Sequence, residues 1–361
     1  MGVTRLRFAW TLSTRDIAVK TLFILFGLAF AWPAQAQLGR SRALSPSKPT
    51  QTPTPPSAPT LNLMPLPKVI SASRNIKLWD TSGQPTLQID PNTGDINALA
   101  LGTKDGQQML ISGGADGVVR LWNLASGAPG DTFAVNHGPI TALALSPDNT
   151  ILAVGAADGS ISLWAWQQGR LLAAVPAHSD AVTGLLYAPD NHTLISAGAD
   201  RQIRVWLLFD NGRRIVLRSS ILAHDAPITG IALLAGATQV ASVSEDGYLM
   251  TWNLATGAQI RRIFVCERGV TALAASPDGK TLATGDSNGH IRLWNAATGM
   301  PLAFQGNLPQ PPRTLLWSAD GTMLICGAAD NTLSFWNVNT GKQVACIAAH
   351  DGPVRALILA P

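Results

Sequence analysis

The chain has 361 residues, 46% of them hydrophobic, and 26 Lys and Arg against 22 Asp and Glu give a net charge of +4. That charge is concentrated at one end. The first 36 residues carry Arg5, Arg7, Arg15 and Lys20 against Asp16 alone, and the rest is 22 basic to 21 acidic, which excludes the electrostatic footprint of a nucleic-acid binder.

Residues 1–36 read as a secretory signal. A basic stretch ends at Lys20, a 12-residue apolar run follows (TLFILFGLAFAW, 21–32), and Ala34-Gln35-Ala36 supplies a small-x-small cleavage pattern. A membrane-spanning helix needs about 20 apolar residues, more than Lys20 and Pro33 leave between them. The expectation is an exported protein, periplasmic or extracellular. Residues 37–67 are rich in Pro, Ser and Thr without apolar periodicity, the composition of a disordered linker.

From residue 68 to 361 one pattern repeats. Trp79, Trp122, Trp164, Trp206, Trp252, Trp294 and Trp336 are 43, 42, 42, 46, 42 and 42 residues apart, and phrases such as ADGVVRLWN (115–123) and EDGYLMTWN (245–253) lead up to them. Each unit runs from a strand such as ITALALSP (140–147) through a Pro-Asp or Asp-Gly turn to a second strand. An Ala-Asp turn then precedes the strand ending in Trp, and an Asn-x-x-Thr-Gly hairpin leads to a last strand. That is four strands per unit, labelled a to d, with no helical period.

A period of this length with a terminal Trp resembles the WD-repeat β-propeller family over about four-fifths of the chain. The resemblance implies an all-β fold of seven four-stranded antiparallel blades around a channel, with strand a innermost. It also suggests how the ring closes. Residues 68–90 supply strands b, c and d without an a, and 350–361 supply an a alone, so the N-terminal strands should complete a blade with the C-terminal one.

The family further implies that a His before strand a, a Ser or Thr on strand b, an Asp in the b–c turn and the Trp form a hydrogen-bonded chain. Two repeats hold all four: His178, Ser196, Asp200 and Trp206, and His224, Ser242, Asp246 and Trp252. Elsewhere the set is broken. Val154 stands where a hydroxyl belongs beside His137, Asp158 and Trp164, Cys266 replaces the His before Trp294, and Leu308 with Cys326 leave Trp336 without partners.

No phosphate-cradling loop, zinc motif or nucleophile elbow occurs, so no catalytic residue, metal or cofactor is expected. Cys266, Cys326 and Cys346, an odd count without metal-ligand spacing, read as buried, inert thiols.

The early position of strand a reads Asn97, Thr141, Thr183, Thr229, Thr271, Arg313 and Arg355, a polar ring at one channel mouth. Glu245 is the charged exception among the alanines that precede the b–c turn Asp. Family members usually recognise peptides at this mouth, which makes Arg313 with Arg355 the expected anchor for an anionic group. Arg213, Arg214, Arg218, Arg261 and Arg262 form a second basic patch on outer strands, suited to edge protection or to an anionic surface such as lipid headgroups or acidic glycan.

The resulting expectation is a monomeric, exported, non-enzymatic scaffold for a protein partner. Two alternatives stand beside it. A propeller hydrolase or lyase would need a convergent polar cluster. A binder of an envelope polymer would need exposed aromatics, for which Trp166 and Trp317 are the candidates outside the repeat set.

Overall fold

A computed structural model describes residues 65–91 and 93–361; the signal segment and the linker as far as Met64 lie outside these described residues. Within them the backbone forms strands and turns, with two single 3-10 turns at Trp166–Gln168 and Ala235–Ala237. The strands make seven four-stranded antiparallel sheets.

In ring order, blade 1 combines Ala356–Leu359 as strand a with Val69–Ala72, Ile76–Trp79 and Pro85–Ile89 as b, c and d. Blade 2 begins at Ile96–Lys104, blade 3 at Ile140–Leu145 and blade 4 at Val182–Tyr187. Blades 5, 6 and 7 begin at Ile228–Leu233, Val270–Ala275 and Pro312–Trp317. Each of these inner strands touches the next, and the last contact, from Ala356–Leu359 to Ile96–Lys104, shuts the ring.

Closure is thus by head and tail strands. Val69 faces Leu359, Ile70 faces Ile358, Ser71 faces Leu357 and Ala72 faces Ala356 in an antiparallel ladder. Leu66, which the sequence places in the linker, lies buried with Val69, Trp79 and Phe335, and its N–H donates to the Thr81 carbonyl at 2.9 Å. An apolar Leu that reaches a neighbouring blade gains more by burial than a Pro-rich context opposes, so the folded body starts a few residues early.

Burial follows position in the blade. Strands b and c are the most buried, Thr193–Gly198 and Ser160–Ala165 at every residue, because both faces meet other blades. Outer strands such as Gln259–Phe264 are exposed on one face. The core therefore lies between blades. One cluster joins Ile111, Val119 and Phe133 of blade 2 to Ile140, Val154 and Trp164 of blade 3, and Phe133 stacks on Trp164 at 4.5 Å. All seven repeat tryptophans are 8% exposed or less. Opposite each of them the outer strand shifts register, by one residue in six blades and by two at Trp294, a bulge that twists the blade edge away from further pairing.

Candidate functional site

The buried polar chains are the first thing the strands position. In blade 4 the Trp206 indole N–H donates to Ser196 Oγ at 2.9 Å, Ser196 Oγ meets His178 Nε2 at 2.7 Å, and His178 Nδ1 meets Asp200 Oδ1 at 2.8 Å. The Ser proton must go to Nε2, so Nδ1 carries the ring proton and donates it to the carboxylate. Burial pushes the His178 imidazole below its ordinary pKa despite the Asp200 contact, and the ring stays neutral. Burial also works against the Asp200 carboxylate. The His178 hydrogen bond and N–H donors from Ser179 and Gln202 outweigh that and hold it below the usual range. A Cβ on Gly198 would collide with His178 and Asp200, so a glycine is what leaves room for their contact.

Blade 5 repeats the arrangement through Trp252, Ser242, His224 and Asp246 at 2.9, 2.7 and 2.9 Å. A third complete chain spans the seam, where sequence reading did not find it. Trp79 Nε1–H donates to Ser71 Oγ at 2.8 Å, Ser71 Oγ meets His350 Nε2 at 2.7 Å, and Asn75 Oδ1 accepts from His350 Nδ1. Burial, aided by the Lys77 ammonium, drives His350 down to about 4 against a small opposing pull from Asp351.

The broken sets divide. Trp164 recovers a hydroxyl from Ser162 on its own strand at 2.8 Å, while His137 and Asp158 pair apart from it at 3.0 Å in solvent. Trp294 finds Thr284 at 2.8 Å. Trp336 Nε1 is buried with no partner, as Leu308 and Cys326 imply.

At the channel mouth, Thr141 Oγ1 donates to the Val182 carbonyl of blade 4, Thr229 Oγ1 to Val270 of blade 6 at 2.6 Å, and Thr271 Oγ1 to Pro312 of blade 7 at 2.6 Å. Asn97 reaches Ile140 in the same way at 2.9 Å. These four residues tie the inner strands of blades 2, 3, 5 and 6 each to the next. Thr183 Oγ1 is buried without a partner.

Arg355 continues the pattern with a side-chain acceptor. It meets Asp95 at 2.6 Å, a carboxylate also approached by Arg74 at 3.4 Å. Arg313 is exposed, at the same position of the preceding blade, and no described group pairs with it. Glu245 is exposed in the b–c turn of blade 5. These roles were not legible in the residue types, because a threonine facing a mouth and one spanning to the next strand look alike in sequence.

The outer basic patch is partly engaged. Arg262 lies 3.9 Å over the Tyr248 ring and 3.8 Å from Asp225, and Arg214 lies 4.6 Å over Phe209 and 3.9 Å from Asp210. Arg261 Nε is buried and unpartnered, and Arg213 and Arg218 are exposed.

Two expectations need correction. Cys266 and Cys326 are buried, but Cys346 is exposed, because the outer strand Lys342–Ala348 turns that position away from blade 1. Trp166 and Trp317 are core residues, with indole N–H groups donating to the Asn149 and Ala274 carbonyls, so neither offers a polymer-stacking face. Among the described residues no three of His, Cys, Asp or Glu are grouped so as to hold a metal ion.

The structure resembles the crystal structure of the computationally designed Ika8 protein, with a TM-score of 0.63, 28% sequence identity, and coverage of 81% of this chain and 88% of that one. Among curated proteins none matches the chain. The family model described as WD domain, G-beta repeat matches residues 83–123, 129–165, 169–206, 258–295 and 303–337, just over half of the sequence. It passes over the repeat ending at Trp252, which has the longer lead-in and a 3-10 turn in place of Pro-Asp yet keeps a full polar chain. With seven blades, a sealed ring and an indole seated in each blade, the chain belongs to the WD40 repeat family, whose propellers are protein-interaction scaffolds.

Proposed function

We propose that the protein is an exported, monomeric, non-enzymatic scaffold that docks a peptide or loop of a protein partner at the channel mouth, with Arg313 as the anchor for an anionic group. One observation carries this reading. At the position where Asn97, Thr141, Thr229, Thr271 and Arg355 are each committed to the neighbouring blade, Arg313 alone presents an uncommitted charge to solvent. A guanidinium with its five donors free suits a carboxylate or another planar anion. Family membership supports a protein as the partner. Export rests on the signal-like residues 1–36.

The test is a crosslinked pull-down from the native cell envelope, comparing wild type with Arg313→Ala. Recovery of a defined partner that falls at least tenfold in the variant supports the reading. Recovery unchanged by Arg313→Ala moves the contact elsewhere, and a cytoplasmic location of the tagged protein ends the export proposal. Arg355→Ala serves as a separate control, because that residue is part of the ring closure through Asp95.

A further inference from the structure

Five of the seven c–d hairpins are closed by a side-chain oxygen from the residue after Trp. Asn123 Oδ1 accepts the N–H groups of Ala125 and Ser126, Asn253 those of Ala255 and Thr256, Asn295 that of Thr298, and Asn337 that of Thr340. Asp80 does the same for Ser82 and Gln84. Blades 3 and 4 carry Ala165 and Leu207 at this position, and their hairpins depart from the pattern.

In blade 3 the connection is the 3-10 turn Trp166–Gln168. Trp166 is buried and Gln167 Nε2 donates to the Thr103 carbonyl at 3.0 Å, which leaves Gln168 and Arg170 facing solvent. In blade 4 the connection is longer. Asp210 and Asn211 both sit at φ 53, and Gly212, at φ 78, comes so close to Ile151 and Leu172 of blade 3 that a Cβ would overlap them. The longer hairpin therefore leans on its neighbour. The two exceptional connections are adjacent, and between them lies a groove of about 370 Å³.

Ile151 and Leu172 form its apolar part, and Gln168, Arg170, Asn211 and Arg213 its polar part. No described side chain pairs with the guanidinium of Arg170 or Arg213. The one carboxylate in the lining, Asp148, is turned to its own hairpin, where Oδ1 accepts from the hydroxyls of Ser146 and Thr150 and from the Thr150 N–H. On the blade edge beside the groove Leu217, which pairs with Trp206 on the face towards blade 3, is 47% exposed.

We propose that this groove receives an extended acidic segment of a protein partner. Its carboxylates would sit between Arg170 and Arg213, its backbone against the Gln168 and Asn211 amides, and an apolar side chain on Leu217. Charge complementarity selects an acidic occupant, because two guanidiniums without partners face a single carboxylate in the lining, Asp148, whose hydrogen bonds stay within its own hairpin. Side-chain amides donate and accept at once, which fits a peptide backbone. Strand direction places the c–d hairpins on the face opposite the mouth that holds Arg313, so this is a second contact. It rests on the scaffold reading and extends it.

The test is fluorescence anisotropy with a labelled hexapeptide of alternating Glu and Leu, and a counterpart with Gln for Glu. The wild type binds the Glu peptide. Affinity falls at least tenfold for the Gln peptide and for Arg170→Ser/Arg213→Ser, falls with added salt, and is kept by Arg313→Ser. If the serine pair shifts the melting temperature, Arg170→Gln/Arg213→Gln replaces it.

Absence of Glu-peptide binding to wild type, equal binding of both peptides, or unchanged affinity in the arginine pair overturns the proposal. Loss in Arg313→Ser with retention in the groove variant also overturns it, while leaving the scaffold reading standing at the mouth. Sedimentation with phosphatidylglycerol vesicles that depends on Arg170 and Arg213, without peptide binding, overturns it in favour of a lipid surface.

Discussion

Ser71 and His350 lie 279 positions apart in the chain and 2.7 Å apart in space. The hydroxyl between them also accepts the Trp79 indole, so one oxygen joins the head strand, the tail strand and the blade core. Ser71→Ala removes it and leaves two buried groups, Trp79 N–H and His350 Nε2, unpaired. The expected cost is about 2–4 kcal/mol, read as a lowered urea midpoint with the slope unchanged. A variant within about 0.5 kcal/mol of wild type would show the seam chain to be idle.

Acid should weaken the fold before the carboxylates titrate. His178, His224 and His350 all have pKa values below the ordinary one because burial disfavours the imidazolium, His350 at about 4. The unfolded chain, with histidines near 6.5, then binds protons that the folded chain refuses. Stability is therefore full above about pH 6.5 and falls as pH drops towards 4. Urea midpoints at pH 7.5, 6 and 4.5 should decrease in that order, and His350→Gln should flatten the decrease. A midpoint constant across this window would contradict it.

The threonines of the inner strands offer a contrast within one chemistry. Thr229→Val loses the tie to Val270 and should cost about 1 kcal/mol, whereas Thr183→Val, whose hydroxyl has no partner, should be neutral or stabilising. Equal losses would mean that the hydroxyl ties carry nothing. The indoles give a parallel comparison. Trp206→Phe breaks a full chain and Trp336→Phe breaks no hydrogen bond, so the first should be the costlier by about 1–2 kcal/mol.

Thiol exposure gives a chemical check on the outer strands. Cys346 is exposed and Cys266 and Cys326 are buried, so a chromogenic disulfide reagent should titrate one thiol natively and three in denaturant. Cys346→Ser should abolish the native reaction. Two or three fast native thiols would contradict the burial of blades 6 and 7.

Much of the architecture was legible because each blade repeats the same local rules. Tryptophan spacing, Pro-Asp turns and alternating strands give the blades, and the missing strand a before Val69 gives the seam. The seam chain was not legible, because Asn75 replaces the expected Asp and its histidine lies near the other end of the chain. The groove was hidden for a related reason. Gln168 and Arg213 belong to different repeats, and only ring packing shows that two irregular hairpins are neighbours. The exposure of Cys346 escaped because an outer strand with apolar residues on both faces has no alternation to read.

Ring closure is tested most directly by hydrogen exchange on the intact protein and on a form ending at Arg355. Pairing of Val69–Ala72 with Ala356–Leu359 predicts slow exchange of both segments in the intact chain. In the shortened form the amides of 69–72 that bond to the tail strand should exchange fast, while Leu152–Ala156 of blade 3 stays protected. Protection of 69–72 that survives loss of the tail strand would contradict a ring sealed by the two ends of the chain.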